Sequence, residues 1–191
     1  MPEEETTNVL RAALAEAASA SWSRRARAGR DLASSAEVPE AAEALARLLL
    51  DAADTAVTRC TAEALVRAGT VDALRLLARA VPEADDNQAD WLRTGVGDAL
   101  AGAGGEPDAA AVAAVVDVCG RLARDPRAAV RRGAAEILAW SGDGSGDGSG
   151  RADECGRAGG AGDEQPDGSA GGSAPVGPYP GAGSPDAYRH S

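Results

Sequence analysis

Through residue 140 the apolar side chains recur three and four residues apart, with short polar intervals between the runs. Leu10, Ala13, Leu14 and Ala17 mark a first helix; Trp22, Ala26, Gly29, Leu32 and Ala33 mark a second. Leu45, Leu48 and Leu49 precede Val57, Thr61, Ala64, Leu65 and Ala68. Val71, Leu74, Leu77 and Val81 precede Leu92, Val96, Ala99 and Leu100. Val112, Val115, Val116, Cys119 and Leu122 precede Val130, Ala134, Ile137 and Leu138. Pro39, Pro107 and Pro126 fall where helices should begin, since the first turn has no intrahelical use for the missing N–H. The pattern predicts eight helices in four hairpins, and no strand.

The hairpins repeat. The leading apolar residue of each second helix is Trp22, Val57, Trp91 or Leu92, and Val130, at steps of 35, about 35, and 38 or 39 residues. Leu14, Leu49 and Leu122 each lie eight residues before their partner. The third unit departs from this, with Val81 ten residues before Trp91 and "PEADDNQAD" in between. One hairpin cannot bury its own apolar face, so neighbours must supply the missing surface.

The last unit, "LARDPRAAVRRGAAEIL" (122–138), and the second, "LLLDAADTAVTRCTAEAL" (48–65), share Asp, Val, Arg, Ala and Leu at similar offsets. The former resembles a bacterial HEAT-like repeat of the bilin-lyase type, in which Asp-Pro, Val-Arg and Ala-Ala-x-x-Leu recur across the inter-helix turn. The first and third units match by spacing alone, and the resemblance covers roughly residues 8–140. It implies a right-handed α-α superhelix, a short solenoid of about four hairpins. That family is a scaffold put to many uses, so it implies no particular activity.

Composition narrows the picture. About a quarter of the 191 residues are Ala, Phe is absent, and all 19 basic residues are Arg. A core of Ala and Leu requires closely packed helices. The net charge is −11, and residues 1–140 contribute 22 acidic against 16 Arg side chains. That balance argues against nucleic acid as a partner. Cys60, Cys119 and Cys155 have no paired spacing and suggest a reducing compartment without a disulfide framework. The acidic start lacks a signal core, and no long apolar run spans a membrane, so a cytoplasmic protein is expected.

Candidate chemistry is sparse. Arg24, Arg59, Arg93 and Arg132 stand two residues after each leading position and would form a row along the stack. Such a row is either an anion-binding stripe or a structural ladder with the turn acids Asp51, Asp90 and Asp125. Trp22, Trp91 and Trp140 are read as core volume rather than stacking platforms. Glu83, Asp85 and Asp86, with Asp90, belong to the irregular turn 82–90, which either caps a helix and solvates a loop, holds a cation, or meets a basic protein. "DGSGDGSGRADE" (143–154) meets the calcium-loop pattern formally but lacks an exit helix, which favours a linker. The single His, His190, stands near the C-terminus, so no triad or His-rich metal cage is expected. The His-Glu pairs of iron-dependent hydroxylases with related repeats are missing, as is the basic balance of the repeat-built glycosylases.

From Ser141 onward Gly, Ser, Pro and Asp dominate, and "APVGPYPGAGSP" is Pro-rich. The expected organisation is a helical-repeat body over 1–141 and a disordered tail over 142–191. The expected function is a non-enzymatic protein–protein scaffold or adaptor without cofactor. The alternatives are a small-ligand, lyase-like or chaperone protein, and a nucleic-acid binder using the Arg row.

Overall fold

A computed structural model describes residues 2–142 apart from residue 103, with side chains from residue 7. Among these residues it is all-helical, with eight α-helices and no strand: α1 (Pro2–Glu16), α2 (Trp22–Leu32), α3 (Pro39–Leu49), α4 (Thr55–Ala68), α5 (Val71–Ala80), α6 (Asp86–Leu100), α7 (Ala109–Leu122) and α8 (Ala128–Gly142). Short 3-10 turns follow α2 (Ala33–Ser35) and α5 (Val81–Glu83). The expected eight helices without a strand are therefore present among the described residues. The stretch 143–191, with the calcium-like loop, Cys155, Tyr179 and His190, lies outside the described residues, as does most of the expected tail.

Local chemistry explains the boundaries. Pro39 opens α3 at its first turn. Asp54 caps α4 by accepting the Ala56 N–H, and Asp108 caps α7 by accepting those of Ala110 and Ala111. At the other end of α4, Gly69 takes φ +64° and donates to the Leu65 and Val66 carbonyls. A side chain is strained there, so Gly ends the helix. Thr70 then caps α5 directly.

The second helices contact one another in chain order, α2 with α4, α4 with α6 and α6 with α8. The first helices do the same from α1 to α7. In the first, second and fourth hairpins the two helices also pack together. The third differs: α5 rests on α8, α3 and α4 rather than on α6, which lies against α4 and α8.

One core cluster runs from Ala13 to Ile137 and includes Leu45, Leu49, Leu65, Leu74, Leu77, Leu92 and Val130. A smaller one joins Ala26, Ala28, Leu48, Val57 and Cys60 between α2, α3 and α4. Leu49, Val57, Leu122 and Val130, on which the repeat reading depends, are all buried. Because Ala supplies little bulk, the helices approach closely, and three glycines make this possible. A methyl group at Gly29 would overlap the Thr61 side chain, at Gly95 the Arg59 carbonyl, and at Gly133 the Ala78 carbonyl.

Each of these glycines belongs to a recurring set of buried residues. Buried residues recur as Ala26–Gly29–Ala33, Leu92–Gly95–Ala99 and Val130–Gly133–Ile137, each with offsets of three and seven. In α4 the same offsets select Thr58, Thr61 and Leu65, all buried. This buried pattern leads with Ala26, Thr58, Leu92 and Val130; Val57 is buried beside it, and Trp22 is not part of it. Trp22 is 36% exposed, while Trp91 and Trp140 are half-buried. Core volume is the wrong reading for Trp22 and an incomplete one for the other two. Spacing alone favoured Trp22 because a large aromatic looks like an anchor, whereas the buried residues of α2 are Ala26, Ala28, Gly29 and Leu32.

Candidate interaction surface of the second helices

The second helices leave polar side chains facing outward, and the Arg residues among them have unlike roles. Arg24, Arg93 and Arg132 are exposed on α2, α6 and α8. Arg59 is 7% exposed, and its Nε donates to Asp98 of α6 at 2.6 Å. The four are therefore not equivalent guanidinium groups on one stripe. In that pattern the position after each leading residue is Arg27, Arg59, Arg93 and Arg131, a row by sequence offset whose members have unlike partners.

Three members of that row hold the fold together. Arg27 forms a two-pronged pair with Glu16, tying α2 to α1, and its pKa is raised, first by the hydrogen bond to Glu16. Arg59 ties α4 to α6. Arg131 donates to the Asp125 and Pro126 carbonyls at 2.8 and 2.9 Å, closing the turn before α8. Arg25 does the same before α2, donating to the Ser19 and Ala20 carbonyls at 3.0 Å each. Both arginines reach back five and six residues, so the two turns share one design.

Two of the three turn acids pair with an Arg, but in each case one outside the expected row, Arg25 for Asp51 and Arg75 for Asp125. Asp51 accepts the Ala53 and Asp54 N–H groups and a two-pronged pair from Arg25 at 2.6 and 3.1 Å. Asp125 accepts the Arg127 N–H at 2.9 Å and pairs with Arg75 of α5 at 3.4 Å. Its carboxyl is held below the ordinary value, first by the Arg127 N–H and further by Arg75. Asp90 does not take part. It lies inside α6, where its carbonyl accepts the Thr94 hydroxyl.

The stretch 82–90 is not a projecting loop. Glu83 ends a 3-10 turn, Asp85 caps α6, and Asp86 is its first residue; all three are exposed. Asp85 accepts the Gln88 N–H at 2.8 Å while the Gln88 side chain accepts the Asp85 N–H at 3.1 Å. Its sequence departure therefore moves the start of α6 back to Asp86, five residues ahead of Trp91.

Between α2, α4 and α6 lies a charged group that motif reading missed. Glu63 pairs with Arg67 at 2.5 Å, and Asp98, Arg59 and Arg30 lie within its field. Burial raises the Glu63 pKa, the opposing pull of Arg67 notwithstanding. The available signal was Glu63–Arg67 at i, i+4 on a helix buried along most of its surface. Cys60 is disulfide-bonded, against the expectation of unpaired thiols, while Cys119 is free and buried.

Among the described residues no group of three or more His, Cys, Asp or Glu side chains is placed to hold a metal ion. No described helix is long and apolar enough to cross a membrane. Comparison with protein-family models, with curated proteins and with solved structures found no match.

Proposed function

We propose that this chain is a protein-binding scaffold whose four hairpins form a short right-handed superhelix of the HEAT-like kind. The second helices line its concave side. A protein partner docks there without chemistry or cofactor, meeting Arg24, Arg93 and Arg132 along the face and Glu83, Asp85 and Asp86 at its edge. The observation that carries this reading is the succession of α2, α4, α6 and α8, each touching the next while α2, α6 and α8 keep exposed polar side chains. Repeat arrays bind through such extended surfaces rather than deep pockets. Arg27, Arg59 and Arg131 are engaged by Glu16, Asp98 and turn carbonyls, which favours a structural ladder over a phosphate-binding stripe.

Affinity capture from the native cell compares the wild-type chain with an Arg24→Glu, Arg93→Glu, Arg132→Glu variant. A partner retained by the first and lost by the second is expected. Equal retention by both, or retention of no protein by the wild type, overturns the assignment.

A further inference from the structure

The exposed large apolar side chains among the described residues sit on the first and last hairpins: Val9 at 59%, Trp22 at 36% and Val116 at 44% exposure. Val116 belongs to α7, the last in the succession of first helices. The inner face of α7 is buried through Val115, Val118, Cys119 and Leu122. Its free flank carries Ala109, Ala113, Val116 and Gly120 at steps of four, three and four residues, a seam that lets a second helix approach closely. A Cβ added at Gly120 would meet nothing within 4 Å. Terminal repeats ordinarily need a polar outer face to remain single, and this one lacks it along the seam.

Charge selects the occupant. Exposed Glu106 stands just before α7, and exposed Arg124 stands just after it. A parallel neighbour of the same kind would set acid against acid and base against base. An antiparallel one sets Glu106 of each copy against Arg124 of the other, with the midpoint of the pairing at residue 115, beside Val116. The last hairpin also carries five Arg and five acidic side chains over residues 106–142, so this end is neutral in a chain of −11. We propose that α7 pairs antiparallel with α7 of a second copy of this chain, about a twofold axis near Val116.

A single helix pair buries less than the roughly 1,200 Å² of a standard stable interface, so the dimer is weak and concentration-dependent. It uses α7 rather than the second-helix face, and stands or falls apart from the scaffold reading. Sedimentation velocity on the full chain from about 10 to about 500 μM should show the coefficient rising from monomer toward dimer. Val116→Glu should stay monomeric throughout, with the helical circular dichroism of the wild type. Glu106→Arg and Arg124→Glu should each weaken association about tenfold, and the two together should restore it to within about threefold. A wild type that is monomeric at the highest concentration, or a Val116→Glu variant that associates like the wild type, overturns the pairing. A combined charge swap no tighter than either single variant overturns the antiparallel register, and the proposal with it.

Discussion

Gly133 of α8 lies so close to Ala78 of α5 that a methyl group at 133 would stand 2.7 Å from the Ala78 carbonyl carbon. Backbone cannot move aside as a flexible side-chain end can, so one helix must lift off the other. Gly133→Ala should cost about 2 kcal/mol, because overpacking outweighs the helix propensity gained. Gly97 of α6 is the internal control, since a Cβ there meets nothing within 4 Å. Gly97→Ala should add up to about 1 kcal/mol of stability. Urea midpoints of the two variants should move in opposite directions. A Gly133→Ala chain as stable as the wild type would mean that α8 does not seat on α5.

The Arg59–Asp98 pair joins α4 to α6 with its guanidinium side 9% and its carboxylate side 28% exposed. Removing one partner of a buried pair commonly costs several kcal/mol, but water reaches Asp98 and screens part of the loss. Asp98→Ala should therefore cost about 1–2 kcal/mol. Arg59→Met, which removes the buried charge and keeps its volume, should cost less. Equilibrium denaturation of the two variants checks the asymmetry; equal losses would count against a desolvated Arg59.

Eight helices were legible because apolar spacing, prolines and capping residues all act within one turn of the chain. Asp51 and Asp125 were legible too, since an acid after an apolar run is a local device. The close packing of the second helices was not. It depends on Gly29, Gly95 and Gly133 meeting backbone or side chains of other helices, and such contacts leave only a missing side chain in the sequence. Glu63 escaped notice because its significance comes from α2 and α6 closing around α4. That α5 leans on α8 rather than on α6 is likewise a long-range fact.

Thr58 sits in the leading position of α4, fully buried, and its hydroxyl has no hydrogen-bond partner. An unsatisfied buried hydroxyl costs roughly 1–3 kcal/mol. Thr58→Val keeps the shape and removes the polar atom, so it should stabilise the fold by about 1 kcal/mol. Thr61 is also unsatisfied, but it abuts Gly29, and a methyl in place of its hydroxyl would crowd α2. Thr61→Val should gain less. Thermal melts rank the pair, and a Thr58→Val melt below the wild type would argue that its hydroxyl is satisfied in solution.

Burial of the Cys119 thiol on the inner face of α7 pushes its pKa to about 11. Only a thiolate attacks an alkylating reagent or an aromatic disulfide, so this thiol is shielded twice, by access and by protonation. In native protein at neutral pH, labelling of Cys119 should be slower by orders of magnitude than in denaturant. Peptide mass spectrometry at timed intervals gives the rate. Fast labelling under native conditions would place the α7 thiol in water.

Two carboxyl groups should give stability opposite slopes against pH. Asp125 has a folded pKa below its unfolded value, so its stabilisation is present above the ordinary Asp range and is lost as pH falls through the lowered value. Asp125→Asn can still accept the Arg127 N–H, but it removes the charge that pairs with Arg75. The stability difference between wild type and this variant should therefore shrink on acidification. Glu63 has a folded pKa above its unfolded value, because burial outweighs Arg67. Its contribution is fully present below the ordinary Glu range and is lost as pH rises through the raised value. Glu63→Gln should thus hold its largest advantage near neutral pH and lose it as the solution becomes acidic. Denaturation midpoints from about pH 2 to about pH 7 separate the two effects. Parallel slopes for the two variants would contradict the placement of Glu63 between α2, α4 and α6, since a carboxyl stabilised in its charged form by Arg67 alone would follow Asp125.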